Sequence, residues 1–189
     1  MNSWPDREKA EKILDEWVAN NNLKKHAWAV EAAMRAYAPV FGADPEEWGV
    51  VGLLHDFDYE RYPDLEDHPF KGARWLREQG YSEELAEGVL ALAHADHTGI
   101  LRDTLLKKAI YAVDELTGLI IAVALTRPSK KLADVTVEAV QKKWREKSFA
   151  AGVDRKMVER GAEELGIPLP EHIGTVISAM QGISERLGL

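Results

Sequence analysis

Residues 50–60, Val-Val-Gly-Leu-Leu-His-Asp-Phe-Asp-Tyr-Glu, end an apolar run on a histidine and an aspartate. Four of the five residues before the pair, Val50, Val51, Leu53 and Leu54, are large and apolar, so the segment belongs in a core. An ionised carboxylate is costly to bury unless it is paired or binds a metal. Beside a histidine, a divalent metal accounts for both residues. The alternative is a helix C-terminus, with His55 favoured by the dipole and Asp56 facing solvent.

The rest of the chain reads as helix. Pro5–Ala19 carries the stripe Ile13, Leu14, Trp17, Val18, and Asn20-Asn21-Asn22 breaks it. Leu23–Phe41 is a second helix closed by Gly42. Asp44-Pro45, an N-cap followed by proline at the first helical position, opens a third that runs into His55. Residues 58–66 read as a loop. Helices follow from about Pro69 to Glu78 and from Ser82 to near Ala95, with a loop over 96–102. Asp103–Thr126 is apolar nearly all round from Ala109 onward and is therefore central. Three more helices are expected at about 134–149, 154–165 and 170–187. Val50–Leu54 and Thr136–Val140 have some strand character, but neither alternates convincingly. The pattern predicts an all-α, single-domain helical bundle over 1–189, with the helices of 131–189 packed on a core at about 20–130.

Six histidines are present, five of them between residues 26 and 97. His26 shares a helical face with Val30, Ala33 and Tyr37, as a hydrogen-bonded core residue or as a ligand. His68 opens the fourth helix, where an exposed cap residue is the plain alternative. His94 follows the apolar run Val89–Ala93. His97 lies beyond it and is expected to be exposed, and His172 is expected at the surface. Asp114 sits midway along the most apolar helix with Ile110, Gly118 and Ile121 on its face. Its partner there is a metal or a buried Arg, Lys or Tyr. Gly118, one turn on, would admit close approach of another element. Buried His and Asp residues from separate helices are how metal sites are built in helical folds.

His26, then His55-Asp56, then Asp114 resemble the H…HD…D signature of the HD-domain metal-dependent phosphohydrolases, an all-α superfamily, over roughly residues 20–130. His68-Pro69 with Gly72 looks like the His-Pro-x-x-Gly segment of those members that bind two metals, and His94 falls near where they place another histidine. The resemblance implies a ligand set of His26, His55, Asp56, His68, His94 and Asp114, with Asp56 bridging. Two features depart from particular members. No Gly-Tyr-Pro follows His94, which gives no support for cyclic-di-GMP phosphodiesterase activity. Tyr59 stands where some nucleotidases carry Glu.

With no cysteine in the chain, a metal must use His and carboxylate, which fits Mn, Fe, Co, Ni, Zn or Mg. A net charge of −8 argues against long nucleic acid and anionic membranes as partners. Met1–Arg7 lacks a signal-peptide core, and no apolar stretch spans a bilayer comfortably, so a cytoplasmic protein is expected. The expected activity is metal-dependent hydrolysis of a phosphate ester of a small metabolite or nucleotide. Lys71 is the first candidate for phosphate binding, ahead of Arg127, Lys130 and Lys131. Asp58, Glu60 and His97 are candidates for proton transfer or for orienting ligands. The alternatives are a diiron oxygenase and a metal-binding module with a degenerate site. The Trp144 helix leaves a homodimer open.

Overall fold

The computed structural model describes residues 3–93 and 95–189, with the side chains of 95 and 96 left aside. The protein is all-α. Polar side chains start most of its longer helices. Asp6 accepts from the Lys9 amide at the head of α1 (Arg7–Trp17). Asn20 accepts from Asn22 N at the head of α2 (Asn21–Tyr37), and Asp44 from Glu46 N at the head of α3 (Pro45–Leu54). A 3-10 turn, Ala38–Phe41, links α2 to Gly42, whose φ of 68° is the left-handed stop that the sequence suggests. Then come α4 (Phe70–Glu78), α5 (Glu83–Leu90) capped by Ser82, α6 (Ala95–Thr98), and α7 (Leu105–Leu125) capped by Thr104. The C-terminal part holds α8 (Val137–Trp144), α9 (Arg155–Leu165), α10 (Leu169–Gln181) and α11 (Ser184–Leu187).

α7 is central and packs against α2, α8, α9 and α10. The side chains of α8, α9 and α10, including Val140, Val158, Ile173 and Met180, join the same continuous core as Val30, Leu53 and Val113. Among the described residues there is no strand. The two segments with strand character are helical, because each buries its apolar residues against neighbouring helices.

Some boundaries differ from the sequence reading. α6 overlaps the first part of the loop expected over 96–102. The helix expected over 134–149 ends at Trp144. Beyond it the Arg155 guanidinium gathers the carbonyls of Trp144, Glu146, Phe149, Ala150 and Val153, supplying partners that a continued helix would have given them. His172, expected at the surface, is fully buried. The Tyr37 hydroxyl lies 2.6 Å from its Nδ1, and its Nε2 donates to the Ala112 carbonyl at 2.9 Å. Burial holds its pKa below the usual value. Its role is to tie α10 to α2 and α7.

The α2–α3 interface is close because α3 carries Gly52 where it crosses α2. A Cβ there would lie 2.8 Å from Glu31 Cα and 2.9 Å from the Val30 carbonyl carbon. This approach brings the end of α3 against the first half of α2. Gly118 differs from the expectation of close approach: a Cβ there would meet nothing within 4 Å.

The two glycines therefore predict opposite responses to alanine. Gly52→Ala forces α2 and α3 apart and is expected to destabilise by about 1–3 kcal/mol. Gly118→Ala gains helix propensity without a clash and is expected to stabilise by up to about 1 kcal/mol. Denaturant melts of the two variants check this, and equal effects would contradict the packing described.

Candidate metal centre

The residues flagged by the sequence converge where α2, α3 and α7 meet. α2 supplies His26, and α7 supplies Asp114 and Thr117. The turn after α3 supplies His55 and Asp56. His55 is fully buried, and its Nδ1 donates to the Gly52 carbonyl at 2.7 Å. In the neutral ring this fixes the tautomer and turns the lone pair of Nε2 into the cluster. There it lies 3.2 Å from His26 Nε2, 3.5 Å from Asp114 Oδ1 and 3.5 Å from Asp56 Oδ2. Asp114 Oδ1 is 2.9 Å from His26 Nε2. The Thr117 hydroxyl is 3.3 Å from the other nitrogen of His26 and donates to the Asp114 carbonyl at 2.8 Å, fixing both ligating helices from behind.

These separations suit a cation. Ligand atoms about 2.1 Å from a common ion stand about 3.0 Å apart on an octahedral edge and about 3.4 Å apart on a tetrahedral one. His26, His55 and Asp56 each offer a donor atom within 4.8 Å of the others, a group that could hold a metal ion. Two imidazole nitrogens 3.2 Å apart need either a shared proton or a cation between them.

Asp56 faces two ways. While Oδ2 looks to His55, Oδ1 lies 3.3 Å from His68 Nε2. The other nitrogen of His68 is 2.8 Å from Asp58 Oδ1, and Asp58 Oδ2 accepts from the Gly72 amide at 2.7 Å. Asp58 is fully buried. A Cβ on Gly72 would lie 2.9 Å from its carboxylate, so only glycine lets the backbone donate at this distance. Asp58 thus orients His68, as carboxylates commonly orient ligating histidines. Its contacts to His68 and to the Gly72 amide fit the orienting role among those expected of it.

The other candidates lie elsewhere. Glu60 accepts from the amides of Ala19 and Asn20 at 2.8 and 3.0 Å, fastening the chain just before α2. His97 is exposed, as expected, and its Nε2 donates to the Leu65 carbonyl at 2.5 Å. The Lys71 ammonium lies 3.4 Å from Asp67 and over the Tyr62 ring, in a surface cleft with Trp17 and Trp75. Arg127, Lys130 and Lys131 line surface pockets in the region after α7. None of these four cations makes a contact with the cluster. His94 lies outside the described residues. The roles of Asp58, Thr117 and Glu60 depend on contacts between distant segments; for Asp58 the one hint in the sequence is its place two residues after Asp56.

Without a cation the cluster is a network of ion pairs. Burial lowers the pKa of His55, but Asp56 and Asp114 outweigh it and hold the ring well above its ordinary range. Burial raises Asp114, but His26 and His55 bring it down to about 2. Asp56 is likewise held well below the usual carboxylate range, with burial opposed by His55, His68 and His26. For His68, burial is overcome by Asp56 and Asp58, and its pKa rises to about 9. A metal must displace these protons, so binding releases protons to solvent.

A pH dependence follows for chelator-treated protein. The folded pKa of His68 lies above its unfolded value of about 6.5. Its contribution is therefore complete below about pH 6.5 and is lost as pH rises toward 9, amounting to a loss on the order of 3 kcal/mol. Titrating the His68 ring by NMR is expected to give a midpoint near 9. A midpoint near 6.5 would mean that the two aspartates do not face the ring.

Residues 23–119, more than half of the chain, match the model of the HD domain family. That span includes His26, His55, Asp56, His68 and Asp114. No curated protein and no solved structure matches the chain. The all-α fold, the histidine and aspartate pairing at its centre and the family match agree: the chain belongs to the HD-domain family, a superfamily of metal-dependent hydrolases.

Proposed function

We propose that the protein is a metal-dependent phosphohydrolase that cleaves a phosphate ester of a small metabolite or nucleotide. The observation that carries this reading is the convergence of His26, His55, Asp56 and Asp114 from three separate helical segments onto one small volume. In this reading those four residues hold one cation. A second cation would be held by Asp56 with His68 and, by resemblance, His94.

A divalent cation bound there supplies a water nucleophilic near neutral pH and neutralises charge on a phosphoryl oxygen. The protein's own part is to hold donors in place. Gly52 O and Thr117 Oγ1 orient the two histidines of the first site, and Asp58 with the Gly72 amide orients His68. The Asp56 side chain is 30% exposed, so the cluster is open to solvent on that side. The small-metabolite preference rests on the net charge of −8, which opposes long polyanions without preventing local binding.

Protein stripped with a chelator and reloaded with Mn, Co, Ni or Mg is expected to release phosphate from members of a nucleotide and metabolite-phosphate panel. Asp114→Ala is expected to lose about 100-fold or more in kcat/KM, at or beyond the range for residues that only orient ligands. Undiminished phosphate release by Asp114→Ala would contradict the reading. Two bound irons with oxygen consumption and no phosphate release would favour the oxygenase instead.

A further inference from the structure

Along α2 and α7 from the metal centre, the two helices border a second concavity. On α7, Asp114, Gly118, Ile121 and Leu125 follow one another at i, i+4, i+7 and i+11 and so share one face. On α2, Asn22 lies one turn before His26, with Lys25 beside it. The space next to Gly118 is open, since a Cβ there would meet no atom within 4 Å. Beyond it lies a cavity of about 340 Å³ lined by Asn22, Lys25, Ile121, Leu125, Leu187 and Leu189. Gly118 is about 6 Å along the helix from Asp114, and Leu125 about 16 Å.

Four of the six lining residues are large and apolar, and two carry polar groups. A concave, mostly apolar pocket of a few hundred Å³ with a few polar groups is the usual form of a small-molecule site. It explains an otherwise costly surface: Leu125 is 51% exposed on the most apolar helix of the chain. It also explains the glycine, because a side chain at 118 would stand between the cluster and the cavity.

We propose that this groove receives the alcohol part of the ester, and that the substrate class is a phosphate ester with a largely apolar alkyl or aryl group. This rests on the phosphohydrolase reading for the position of the phosphate. A polyhydroxylated sugar would leave hydroxyls unpaired against Ile121, Leu125, Leu187 and Leu189, which disfavours it. The open space at Gly118 provides the passage, and Ile121 and Leu125 determine specificity.

Alkylphosphonates test the groove without needing turnover. Affinities of methyl-, butyl- and octylphosphonate for the Mn-loaded protein are measured by calorimetry, alongside Gly118→Leu. A fully buried methylene is worth about three- to fourfold in affinity. With part of the tail buried, octylphosphonate is expected to bind at least about tenfold tighter than butylphosphonate. Gly118→Leu is expected to fold, to bind Mn as the parent does, and to reduce that ratio to near one. Equal affinities along the series, no binding of any member, or an undiminished ratio in Gly118→Leu would overturn the proposal. Chain-length dependence in a protein that cleaves no ester would overturn the hydrolase reading and leave the groove standing. Phosphate release with a flat series would do the reverse.

Discussion

Two carboxylates, Asp56 and Asp114, are held against the imidazoles of His26 and His55 at the meeting of three helical segments. Desolvating such charges costs several kcal/mol each unless opposite charge replaces the lost water. The surrounding structure meets that demand. Thr117, Gly52 O and Asp58 each fix one histidine, and Gly72 presents its amide to Asp58. Further out, Gly52 lets α3 approach α2, and the buried His172 ties α10 to both α2 and α7. The fold keeps these donors together, and the same arrangement suits a divalent cation.

The same donor set serves two states of the cluster. With protons, it is a set of mutually stabilising ion pairs in which His55 and His68 are raised and Asp56 and Asp114 depressed. With a cation, the same nitrogens and oxygens would become its ligands. Protons and metal compete for the same lone pairs, so affinity depends on pH and binding couples to proton release. The helical frame need not rearrange, because each histidine is already oriented by a partner outside the cluster.

Much of this was legible in the sequence because it is written in local patterns. Asp44-Pro45 marked the start of α3, and the apolar run before His55-Asp56 marked where it ends inside the core. Asp114 was conspicuous as a charge in the most apolar segment. What escaped depends on contacts across long separations in the chain. His172 has no local signal of burial; its partners Tyr37 and Ala112 are 135 and 60 residues away. By its position Glu60 reads as an acid near the site, yet it fastens the start of α2, 40 residues earlier. Lys71, one turn after His68, points away because Asp67 and Tyr62 offer nearer partners. Gly118 suggested close packing but borders open space, a distinction that residue type alone does not carry.

The most direct measurement of the central claim is anomalous diffraction from crystals of the protein soaked with Mn or Co, with data collected at the metal's absorption edge. The account predicts a peak bonded to His26 Nε2, His55 Nε2, Asp56 and Asp114, and, if a second ion binds, another between Asp56 and His68. A fully loaded protein with no peak among these side chains would contradict it.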